Sequence, residues 1–290
     1  MEFIKSGKYT FAIKESTFND KDGDILFKTI KMGGTYPDDC VNIVIVYKNN
    51  IPTTAKMPHI MYDEECVINE NPKEKIVLQK GDGSKIMIQT MLGYIKQKYP
   101  SIKEVEYDDM SSIECATEDE IKNAKNQKRG TNMKPLSLYY LSIVYNGQTW
   151  YEKYFNARMQ DPQKHIKYRE RVDNLLKTKP IDFKEFSRII LVPNNLLDEL
   201  YEYYESAETY GDFFQAIPKL ERCRLLRPWI DKFMEYYLKN IFFNKNWVIP
   251  LVARGGNRKT RKTHKSFYAP NNIRLNTNYT GDIGITINDV

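Results

Sequence analysis

The chain has 290 residues, 41% of them hydrophobic, and includes 21 Tyr and 13 Phe. That length and aromatic content exclude a disordered chain and leave room for one large domain or two small ones. The net charge is +6, and Arg254, Arg258, Lys259, Arg261, Lys262 and Lys265 account for all of it, so the rest of the chain has no basic bias.

Cys40, Cys66, Cys115 and Cys223 are far apart and form no CxxC pair. This spacing argues against structural zinc and a disulfide framework, and it favours a reducing compartment. His59, His165 and His264 are equally scattered, and no metal site is expected. The opening "MEFIKSGKYTFAIKE" has no apolar core of signal-peptide length. The late apolar stretch "IFFNKNWVIPLV" is broken by Asn244, Lys245 and Asn246, so it cannot span a bilayer. A soluble intracellular protein without a membrane partner is the expectation.

Residues 8–14, 25–32 and 41–48 are rich in β-branched and aromatic residues bounded by turn clusters, and they predict strands. Between the first two, "FNDKDGDILF" lacks the ligand spacing of a calcium loop, and a hairpin turn on Asp22-Gly23 fits better. Residues 57–68 and 75–79 are further strand candidates, separated at Pro72. "GDGSKIMIQTMLGYIKQK" predicts a glycine turn and then a helix with Ser84 near its start and Pro100 past its end. Ile86, Met87, Thr90, Met91, Tyr94 and Ile95 give this helix one apolar face. "IKEVEYDD" reads as the next strand.

Residues 117–134 are polar and charged, and they predict a helix followed by a loop. "LSLYYLSIVYNG" reads as a helix closed by Gly147, with a short helical turn "TWYEKYF" directly after it. From about residue 160 the pattern becomes long and helical in "QKHIKYRERVDNLLK", "NNLLDELYEYYES" and "PWIDKFMEYYLKNIFF". Their tyrosines read as core and interface faces rather than as stacking platforms for bases. The glycine, basic and asparagine composition from residue 254 predicts a flexible tail.

The turn at residues 80–85 fits neither GxxxxGK[ST] nor a three-glycine dinucleotide fingerprint. It does suit a shorter pyrophosphate turn, in which backbone N–H groups at a helix start cradle two phosphates. "GDGSKIMIQTMLGYIKQ", "IKEVEYDD" and "NGQTWYEKYFNAR", in this order, resemble the glycine turn, following strand and terminal segment of the GNAT superfamily of N-acetyltransferases. The resemblance runs from about residue 57 to 159. Together with "DDMSSIEC", it is closest in character to divergent GNAT-like proteins of large DNA viruses of eukaryotes. Leu78 stands where that family's turn has Gln or Arg, and Asp82 lies between the two glycines.

The resemblance implies an α/β fold with a GNAT-like mixed central sheet in residues 1–160. An α-helical C-terminal extension would occupy 161–252, and a flexible basic tail 253–290. It implies acetyl-CoA held by Lys80, Gly81, Asp82, Gly83, Ser84 and Lys85, transfer of acetyl to an amine, and Tyr151 as the acid for the departing thiolate. No metal is implied. Packing alone is the other account of Tyr151 and Trp150. Glu64, Glu65, Asp108 and Asp109 are candidate bases, none of which stands out. Cys115 reads as a small core residue, since no histidine is placed to activate it. The alternative function is a catalytically silent GNAT-like structural or interaction protein. For a viral protein, the expected location is the host cytoplasm or the particle. The 254–265 segment is either a nonspecific nucleic-acid contact or a solubilising terminus.

Overall fold

The computed structural model describes residues 1–20, 25–35, 40–61, 63–69, 76–79, 82–108, 111–113, 136–238 and 246–251. The Asp22-Gly23 turn, the 117–134 segment, Cys115 and the basic tail lie outside these residues.

The sheet grows from local hairpins. Strands β1 (Glu2–Ser6), β2 (Tyr9–Asn19), β3 (Leu26–Gly33), β4 (Val41–Lys48) and β5 (Ile51–Ile60) pair antiparallel in chain order. Asn49 and Asn50 both take positive φ between Lys48 and Ile51, the two-residue geometry that matches the twist of a hairpin. Strands β2 to β4 were legible as β-branched runs. β5 begins earlier than the predicted 57–68 strand and ends at Ile60, and the described residues of 61–69 and 76–79 are not strand.

Helix α1 (Asp82–Lys98) then leads to β6 (Glu104–Tyr107), which lies parallel to β5 with Ala55 opposite Val105 and Met57 opposite Tyr107. A parallel pair requires a crossover, and α1 supplies it. Met87, Met91, Tyr94 and Ile95 of its predicted face are buried in one cluster with Ile13, Ile30, Ile43 and Ile45 of the sheet. A two-stranded ribbon of β7 (Ser112–Ile113) and β8 (Leu136–Ser137) follows. Next come α2 (Leu138–Asn146) and α3 (Trp150–Phe155). As predicted, Gly147 ends α2: its φ is 68° and its N–H reaches the carbonyl of Ile143.

The sheet is completed by β9 (Arg158–Met159) and β10 (Trp247–Pro250), in the order β1-β2-β3-β4-β5-β6-β10-β9. Strand β10 sits antiparallel between β6 and β9. The helices after residue 160 are therefore spliced between two neighbouring strands, and the C-terminal extension read from the sequence has its last residues inside the sheet. These helices are α4 (Pro162–Lys177), α5 (Phe183–Ile190), α6 (Leu197–Glu205), α7 (Tyr210–Ala216), α8 (Arg222–Leu226) and α9 (Ile230–Leu238). Asp161, Asp182 and Thr209 cap α4, α5 and α7 with side-chain oxygens. Phe186, Tyr204, Tyr210, Phe213, Trp229 and Phe233 form an aromatic core, each buried to 4% exposure or less.

The cysteine reading is corrected. Cys40 and Cys66 form a disulfide, Cys223 is also disulfide-bonded, and no described cysteine is free. The sheet, rather than sequence spacing, brings the first pair together. Met61 N–H bonds the carbonyl of Cys40, and the Glu65 carbonyl crosses so close to Gly34 that a Cβ there would stand 1.9 Å from it. Oxidised cysteines do not fit the reducing compartment expected from their spacing. No helix among the described residues is long and apolar enough to cross a membrane.

Candidate functional site

A parallel strand pair with its crossover helix directs the helix N-terminus to the carboxyl ends of the strands. In this chain that places Asp82, Gly83 and Ser84 near the end of β6, where Tyr107 stands. The structure brings the two predicted segments together there: Lys85 Nζ of α1 lies 4.5 Å from the centre of the Tyr154 ring of α3. Tyr151, one turn back on α3, packs its ring 4.4 Å from that of Tyr107.

The described part of the turn is helical. Lys80 and Gly81 lie outside the described residues. Asp82 already belongs to α1, so Gly83 and Ser84 fall within its first turn. The Gly83 N–H is bonded to the carbonyl of Gln79 at 2.7 Å, and Ser84 is only 2% exposed. The exposed carboxylate of Asp82 occupies the first turn, where the helix dipole favours negative charge. Among the described residues the glycines with positive φ are Gly7 and Gly147, so Gly83 is not held in a left-handed turn.

Tyr151 is 2% exposed and is enclosed by Tyr107, Trp150 and Phe155. Of the candidate bases, Glu64 and Glu65 are exposed in a surface turn. Asp108 pairs with Lys56 at 2.7 Å, and Asp109 lies outside the described residues. No group of His, Cys, Asp and Glu among the described residues could hold a metal ion.

Beneath α3 lies a cluster that the sequence reading passed over. Thr149 and Glu152 form a capping box: the Thr149 N–H donates to Glu152 Oε2 at 2.7 Å, and the Glu152 N–H donates to Thr149 Oγ1 at 3.2 Å. Glu152 Oε2 also accepts from the Tyr168 hydroxyl at 2.8 Å, and Arg169 approaches Oε1 at 3.3 Å. The same guanidinium donates to the carbonyl of Gly147 at 2.6 Å, which ties α2, α3 and α4 together. Burial first, and then the charge of Glu152, push the Tyr168 hydroxyl well above its ordinary pKa.

Tyr168 and His165 both meet Trp247 of β10 edge-on, and Trp247 in turn touches Tyr107. His165 Nδ1 accepts from the Met159 N–H at 3.4 Å. Burial pulls the His165 pKa below its usual value, the charges of Arg169 and Arg158 add to this, and Glu152 opposes it. The spacing T-x-x-E at 149–152 was the available sequence signal for this cluster. Its reach to residue 168 was not readable, because only the sheet aligns α3 with α4.

Every polar partner found for Glu152 is a donor within 3.3 Å. Such a carboxylate fixes the surrounding elements. The arrangement ties α2, α3 and α4 to one another and, through Tyr168 and Trp247, to β10. Comparison with protein-family models, curated proteins and solved structures finds no match to the chain.

Proposed function

We propose that the chain is a GNAT-like α/β protein whose cofactor turn is closed, and that it works as a structural or interaction component rather than as an acetyltransferase. One observation carries the reading: the Gly83 N–H that a pyrophosphate would need is bonded to the Gln79 carbonyl at 2.7 Å. Ser84 is buried beside it, and Asp82 places a carboxylate where phosphate charge would have to sit. The 2% exposure of Tyr151 agrees, because an acid for a thiolate must reach the thiolate.

A second reading has one observation in its favour. The contact of Lys85 with Tyr154 joins the glycine-turn segment to the "WYEKYF" segment, as an acetyl-CoA-dependent N-acetyltransferase acting on an amine would require. Thermal unfolding with acetyl-CoA separates the two. A ligand that binds only the folded state at a hundredfold excess over Kd adds about 2.7 kcal/mol. No rise in Tm at millimolar acetyl-CoA is the expected result. A saturable rise would overturn the closed-site reading and restore the enzyme.

A further inference from the structure

The chain leaving β5 is fastened back onto the sheet before it enters α1. Cys66, 0% exposed, is bonded to Cys40, 5% exposed, at the residue before β4. Met61 N–H donates to the Cys40 carbonyl at 2.7 Å, and Ile68 N–H donates to the Thr10 carbonyl at 2.8 Å. Between these anchors Asp63 Oδ1 accepts from the Glu65 N–H at 2.7 Å, and the Glu65 carbonyl crosses Gly34. Asn69 Oδ1 then accepts from the Ile76 N–H at 2.6 Å, which makes residues 63–69 and 76–79 one unit. The last carbonyl of that unit, on Gln79, is the one bonded to the Gly83 N–H.

A line of contacts thus runs from a covalent bond to the first turn of α1. Its other members are hydrogen bonds, which open locally far more often than a protein unfolds. A disulfide spanning 26 residues limits how far the chain travels while they are open, so they re-form on the same partners. Without it, an opening at Met61 or Ile68 lets the segment drift, and Asn69 and Gln79 drift with it.

We propose that Cys40–Cys66 is a redox clasp on the glycine turn. Oxidised, it holds the Gln79 carbonyl on the Gly83 N–H; reduced, it releases that N–H. The proposal rests on the closed-turn reading above and names what regulates the turn. Release takes two electrons and two protons: a dithiol is oxidised to its own disulfide, the bond between the two sulfurs breaks, and Cys40 and Cys66 each become a thiol. Both cysteines are buried, so the reductant reaches the bond when the segment opens, and that opening paces the release.

The test is hydrogen exchange, read by nuclear magnetic resonance on the full chain carrying heavy-nitrogen glycine. Gly83 reports the turn, and Gly93, further along α1, reports the helix. In the oxidised chain the Gly83 amide should be protected. In Cys40→Ser/Cys66→Ser it should exchange roughly tenfold faster or more, with Gly93 unchanged. Asn69→Ala should do the same with the disulfide intact, because it cuts the line at its middle. Should the double variant fail to fold, the wild-type chain decides in its place: it is treated with a phosphine reductant under native conditions, and its thiols are blocked and mapped by peptide mass. Reduction also opens the disulfide of Cys223, so Cys223→Ser is the control and should leave Gly83 protected. Protection of Gly83 in the double variant or in Asn69→Ala equal to that in the oxidised chain would overturn the proposal. The closed turn would then stand, held by the burial of Val67 and Leu78. A Gly83 amide unprotected already in the oxidised chain would overturn the closed-turn reading itself, and the clasp with it.

Discussion

The layer formed by β1–β5 and α1 and the helical region of residues 162–238 are held by different physics. The first buries one aliphatic face of a helix on a sheet, and a polar latch at the margin completes the contact. Glu15 is the centre of that latch: it accepts from the hydroxyls of Tyr94 and Tyr99 at 2.9 Å and pairs with Lys98 at 3.0 Å. The second is built on aromatic rings of α5, α6, α7 and α9, within the same continuous hydrophobic core. It meets the sheet at Tyr168 and His165 against Trp247, and Glu152 with Arg169 joins it to α3. An aliphatic interface is bounded in register by its polar edge, whereas an aromatic core sets its own geometry through large, directional contacts. The splice between β9 and β10 therefore carries a region with the means to hold its shape.

The sharpest way to break this comparison is Trp229→Ala. The indole is fully buried among Phe186, Phe213, Phe214 and Phe233 and donates to the Leu225 carbonyl at 2.6 Å. Its loss should cost about 4 kcal/mol in a urea melt. Hydrogen exchange should show residues 183–238 opening before α1. Uniform loss of protection across α1 and β2–β4 would mean that the helical region has no stability of its own.

Glu152→Ala tests the joint between the two regions. It removes the shared acceptor of the Thr149 N–H, Tyr168 and Arg169. The expected cost is about 2 kcal/mol, below that of a fully buried pair because Arg169 remains partly open to water. The Tyr168 hydroxyl should also titrate at lower pH once the neighbouring charge is gone, a change visible in the ultraviolet spectrum of a difference titration. A stability loss with no change in tyrosine titration would assign Glu152 to capping alone.

Glu15→Gln has the smallest expected effect, about 1 kcal/mol at neutral pH. Burial pushes the Glu15 pKa upward, but hydrogen bonds from Lys98, Tyr94 and Tyr99 outweigh it, and the net shift is below the ordinary 4.5. A lowered carboxylate pKa contributes stability that is complete above the unfolded-state value and is lost as pH falls through the folded-state value. The Tm difference between wild type and variant should thus persist from neutral pH to the ordinary glutamate range and vanish below it. A difference that stays constant into acid would show that Glu15 acts through packing.

What was legible in the sequence was local. The β-branched runs of β2 to β4, the three-and-four spacing of Met87, Met91 and Ile95, and the glycine that ends α2 each express a preference satisfied within a few residues. The side-chain caps of α5 and α7, Asp182 and Thr209, are local signals of the same kind, although those two helices were not expected. Strands β9 and β10 were not readable, because Arg158-Met159 and Trp247-Pro250 are too short to show a period and become strands only through pairing with each other and with β6. The same holds at the candidate site. The glycines at 81 and 83 read as a pyrophosphate turn, but Gly83 has no positive φ, and the helix takes it into its first turn. Tyr151 was read as the acid for a thiolate or as packing alone, and only the approach of β6 decided that its ring lies against Tyr107.

The cysteines make the division plainest. Cys40 and Cys66 are 26 residues apart and carry no spacing signal, and their Cα atoms come within 5.9 Å because β4 and β5 pair and the chain beyond β5 folds back over Gly34. Composition and periodicity determined which segments become helix or strand, since those choices rest on a residue and its near neighbours. Which cysteines meet and which side chains surround the helix start were settled only by the tertiary structure, because each depends on contacts between residues that the chain itself keeps far apart.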